Sequence, residues 1–109
     1  MILTNTETVP GYTIETSLGL VQGTTVRAKH VGRDITAALK NIIGGELGSY
    51  TSLMSEARAE AIERLKSEAR MLGADGVVNI RLGTAAISSG AAEILAYGTA
   101  VKLSPVTKS

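Results

Sequence analysis

The segment from Ser49 to Gly73 constrains this chain more than any other. Leu53, Met54, Ala57, Ala61, Leu65, Ala69 and Leu72 recur at three- and four-residue spacing, the pattern of a helix with one buried face. Alanine supplies much of that face, so the helix axis can lie closer to its neighbour than a leucine face would permit. The opposite face carries Glu56, Arg58, Glu60, Glu63, Arg64, Lys66, Glu68 and Arg70. Glu60–Arg64 and Glu63–Lys66 stand at helical ion-pair spacing, each contributing about 0.2–0.5 kcal/mol. Ser49 or Thr51 is the expected N-cap, and Gly73 ends the helix after Leu72.

Strands must supply the layer beneath. Residues 12–28 predict one long strand, with Tyr12, Ile14, Thr16 and Leu18 on one face. Val21 and Val26 break that parity, and Gly19 and Gly23 are the expected places for a bulge or bend. Val9-Pro10-Gly11 predicts a turn before it, and Met1-Ile2-Leu3 can add an edge strand. Asp34 predicts the N-cap of a short helix whose stripe is Ile35, Ala38, Leu39, Ile42 and Ile43, ended by Gly44. Gly76 to Thr84 predicts a strand with Val78, Ile80 and Leu82 on one face, and Ser88-Ser89-Gly90 predicts a turn. From Glu93 to Leu103, Leu95, Tyr97, Thr99, Val101 and Leu103 alternate with Ile94, Ala96, Gly98 and Ala100. Both sets are apolar or small, which predicts a central strand or one whose second face meets another chain. Ser104 to Ser109 predicts a polar tail. The fold class expected is α+β: a two-layer β-α-α-β-β subunit in which one long and one short helix cover an antiparallel sheet. The three main strands pair antiparallel throughout if the last sits between the other two.

The 109 residues suit a single domain, 1–109. Phe and Trp are absent and Tyr occurs three times, so the core is aliphatic. A net charge of +1 with signs intermixed gives no basic patch, and no aromatic set exists to stack bases; nucleic acid is not an expected partner. No apolar run approaches a membrane span, and the N-terminus lacks the pattern of a signal peptide. A cytoplasmic protein is expected. With no cysteine, disulfides and thiol chemistry are excluded.

Val31-Gly-Arg-Asp34, Gly44-Gly-Glu46, Tyr50, Ala57 to Arg64, Leu72-Gly-Ala-Asp-Gly-Val-Val78 and Tyr97-Gly-Thr-Ala-Val101 together resemble the YbjQ-like family of small prokaryotic proteins. The resemblance spans residues 3 to 103 or so. It implies a dodecin-like subunit, similar to family members that assemble as homopentameric rings. The family is labelled heavy-metal-binding, and its biochemical role is not established.

A divalent metal ion is therefore the cofactor to test. Soft-metal sites want three or four ligands drawn from Cys, His and carboxylates, whereas this chain has no Cys and the single histidine His30. His30 enters only as an intersubunit ring of copies, and its neighbours Arg27, Lys29 and Arg33 disfavour a cation. Gly44-Gly45-Glu46-Leu47-Gly48-Ser49 precedes a helix, as phosphate loops do, but follows a helix rather than a strand and lacks the lysine. Its glycines are read as geometric, leaving Glu46 and Tyr50, with Arg33, as the candidate ligand-binding residues. Asp34 and Asp75 read as capping or turn residues, and Glu93 is placed to pair with Arg81 across the hairpin. No catalytic residues can be assigned, because no acid–base pair or nucleophile grouping emerges from the spacing. The first reading is a homo-oligomeric ring that binds metal or a small ligand at subunit junctions or its axis, without catalysis. The alternatives are an enzyme with a junctional site built from Glu46, Tyr50 or Arg33, and a purely structural ring.

Overall fold

A computed structural model describes residues 1–28, 47–88 and 91–106. The short helix expected after Asp34 and the turn at Ser89 and Gly90 lie outside the described residues. The elements are β1 (Ile2–Leu3), β2 (Tyr12–Ala28), α1 (Leu47–Met71), β3 (Gly76–Ser88) and β4 (Ala91–Pro105). The sheet order is β1-β3-β4-β2. The final strand is thus central, and β2 and β3 flank it antiparallel as expected. The sheet is nevertheless mixed, because β1 pairs parallel with β3 through Ile2–Gly76 and Leu3–Val77. Val9-Pro10-Gly11-Tyr12 forms the expected turn. The Tyr12 amide donates to the Val9 carbonyl at 3.0 Å, and Gly11 takes φ +84°, a conformation that suits glycine after proline.

Helix α1 lies over β2 and β4, and its alanines set the spacing. Ala57, Ala61, Leu65 and Ala69 are fully buried against Val21, Val77, Ile94, Ala96 and Ala100. Gly23 shows how close the layers come. A Cβ there would collide with the Ala61 carbonyl and stand 2.5 Å from the Leu65 amide nitrogen. Gly23 is therefore no bend: it pairs in register with Ala96, and the helix backbone needs the space a side chain would fill. Two residues along, buried Thr25 donates its hydroxyl to the Ala57 carbonyl at 2.9 Å. The irregularities of β2 fall earlier, between Ile14 and Thr16 and between Ser17 and Gly19, where Gly19 takes φ +112°.

The helix begins at Leu47, so Ser49 and Thr51 lie inside it rather than capping it. Its exit follows expectation. Gly73 takes φ +79°, its amide donates to the Arg70 carbonyl at 2.9 Å, and the Ala74 amide donates to Ala69 at 3.1 Å. That pair of bonds satisfies the carbonyls the last turn leaves free. Leu72 falls beyond the helix and is exposed.

Strand β3 departs from simple alternation at Asn79, whose φ is +54°. The register shifts between Val78 and Arg81, and the extra residue exchanges the faces. Val77 and Ile80 consequently both join the helix-facing core. Val78 joins a second cluster with Val9, Val101, Ile2, Ile14 and Leu103 on the far face. The expectation that Val78, Ile80 and Leu82 share one face fails for this reason. β4 keeps its alternation: Ile94, Ala96 and Ala100 are buried under the helix, and the strand runs through Ser104 and Pro105, shortening the expected tail.

Two substitutions measure this contact. Gly23→Ala is expected to destabilise the fold by about 2–3 kcal/mol, since neither colliding atom belongs to a flexible side chain. Thr25→Val removes one buried hydrogen bond and should cost about 1 kcal/mol. Urea unfolding followed by circular dichroism reads both, and equal costs would contradict the packing described.

Candidate functional site

The described residues bring oppositely charged side chains of different elements together in two places. The first is the seam between α1 and β2. Arg27, near the end of β2, forms an ion pair with Glu60 of α1, and Arg64 approaches the other Glu60 oxygen at 2.5 Å. Arg64 also donates to the Thr24 carbonyl at 2.5 Å. One carboxylate between two guanidiniums ties the helix to the strand, and these part-exposed groups act mainly by fixing position. Glu63 and Lys66 pair at 3.2 Å as expected from their spacing.

The second is the corner where α1 passes into β3. The Asp75 carboxylate accepts from the Leu103 amide at 2.9 Å and from Lys102 Nζ at 3.3 Å. Lys102 donates to the Gly73 carbonyl at 3.1 Å as well, placing a cation at the helix C-terminus where the dipole favours it. The Asp75 backbone accepts from Ile2 and donates to Val101. Asp75 thus joins β1, β3 and β4 instead of capping the helix. The Leu103 amide, followed by Lys102, holds its carboxyl below the ordinary carboxylate range.

The expected Glu93–Arg81 pair does not form. Glu93 stands opposite Ala85, and Arg81 stands opposite Tyr97, so the register separates them along the hairpin. Arg81 instead donates to the Asn5 carbonyl at 2.8 Å and the Ile80 carbonyl at 3.0 Å. His30, Arg33 and Glu46 lie outside the described residues. Tyr50 lies in the first turn of α1. Among the described residues no group of three or more His, Asp or Glu side chains could hold a metal ion, and none of their helices is long and apolar enough to cross a membrane. The residues tying the corner together were hidden from sequence reasoning, because Lys102 and Asp75 meet only through strand register. Thr25 did carry a signal: a polar residue in phase with Val21 and Gly23 on an otherwise apolar face.

Among the described residues, little covers the far face of the sheet. Its lower end is covered by Ile2 and Val9. Above that, Leu20 is 67% exposed, Val26 56% and Tyr97 39%.

An α+β subunit with one long helix on a mixed four-stranded sheet is the class these observations define. The sequence profile of the YbjQ_1 family, described as "Putative heavy-metal-binding", matches residues 1–104. The chain belongs to this family. It is 59% identical over 101 residues to a UPF0145 protein of Hahella chejuensis, covering 93% of this chain and 97% of the relative. A UPF0145 protein of Methanoculleus marisnigri is 60% identical over 105 residues, covering 96% and 98%. A UPF0145 protein of Thermotoga maritima is 55% identical over 106 residues, covering 97% and 100%. The fold is similar to a crystal structure of a protein of unknown function from Pediococcus pentosaceus, assigned to the DUF74 family. The TM-score is 0.61 at 21% identity, with 95% of this chain and 98% of that chain covered.

The Asp75 clamp has a pH signature. A depressed folded-state pKa contributes stability above the unfolded value near 3.8, and that stability is lost as pH falls through the folded value. Asp75→Asn should therefore lower the melting temperature at neutral pH. The gap to the unsubstituted protein should close as pH falls below the unfolded value and through the lower folded one. A gap that stays constant over that range would show that the carboxylate charge plays no part.

Proposed function

We propose that the protein works as a cytoplasmic homo-oligomer, a pentameric ring, that holds a divalent metal ion or a small ligand at its subunit junctions or axis and has no catalytic machinery of its own. One observation supports the assembly above the rest. A compact chain of about this length has a radius of gyration near 13 Å, whereas this chain measures 17.8 Å and extends 63 × 23 × 15 Å. A 25-residue helix and strands of 13 to 17 residues build a slab too thin to bury both faces of its sheet. The apolar far face, bare among the described residues, is the kind of surface that meets a partner.

Metal binding rests on the family description, and one chain's donors do not fit it. A single histidine and no cysteine cannot complete a soft-metal site. Only copies of His30, or of a carboxylate, converging around a symmetry axis would supply enough ligands. No reaction step is assigned to the metal.

Light scattering on a sizing column should return a mass near five times the single-chain 11.3 kDa, and a monomer at micromolar concentration would refute the ring. Elemental analysis of untagged protein, with zinc, copper, nickel and cadmium titrations, tests the ligand. The expected result is binding by the assembled protein that His30→Ala removes. Binding unchanged by that substitution would rule out the histidine ring.

A further inference from the structure

We draw no further inference here: the strongest candidate, the row of exposed side chains Arg81, Tyr97 and Gln22 that strand register sets across the middle of the sheet's far face, carries nothing because nothing in the structure shows what covers that face.

Discussion

The approach of α1 to β2 at Gly23 sets the dimensions of everything else. The helix backbone rests where a side chain would be, and the alanines at 57, 61 and 69 keep it there. Small residues on both partners reduce the apolar area each contact buries, so length compensates for depth. The same closeness lets Thr25 reach a helix carbonyl and lets Arg64 reach a strand carbonyl. These bonds orient α1 over β2 and β4 and away from the far half of β3. Among the described residues, the exposure of Leu82 and Ile87 follows from where α1 must sit.

Much of this was readable before any coordinates. The helix face, its charged back, the glycine stop and the central place of the last strand all follow from periodicity and from the chemistry of glycine. Other features were not readable, for identifiable reasons. The exchange of faces at Asn79 depends on a backbone conformation uncommon outside glycine, so alternation alone misassigns Ile80. Gly23 resembles any strand glycine until the helix is placed above it. The Glu93–Arg81 pair fails because hairpin register is decided by the whole ladder, whereas the pairs within α1 succeed because helical spacing is local. Of the candidate site, the sequence made Tyr50 and its companions visible as polar groups near a helix entrance, and it could not supply their geometry.

The two clamps divide the work of holding the layers together. At one end of the sheet Glu60 draws two arginines across the helix–strand seam. At the other, Asp75 gathers the start of β3, the backbone of β1 and the last residues of β4. Both are part-exposed, so they contribute little net energy while restricting how the layers slide. Burial of Val21, Leu65, Ile94 and their neighbours provides the stability that these polar ties direct.

The central position of β4 has a consequence for how the molecule comes into being. Tyr12 pairs with Pro105, and both long ladders, β2 and β3, find their partners in β4. Until that strand leaves the ribosome, the β2 and β3 ladders lack their shared partner, and among the described residues β3 has its contacts with β1 and with Thr4 and Thr6. The helix can wind earlier, but its alanine face has no floor. Assembly of the sheet therefore waits for β4, which stands between β3 and β2. Loss of β4 would therefore remove the sheet as a whole, not trim one edge of it.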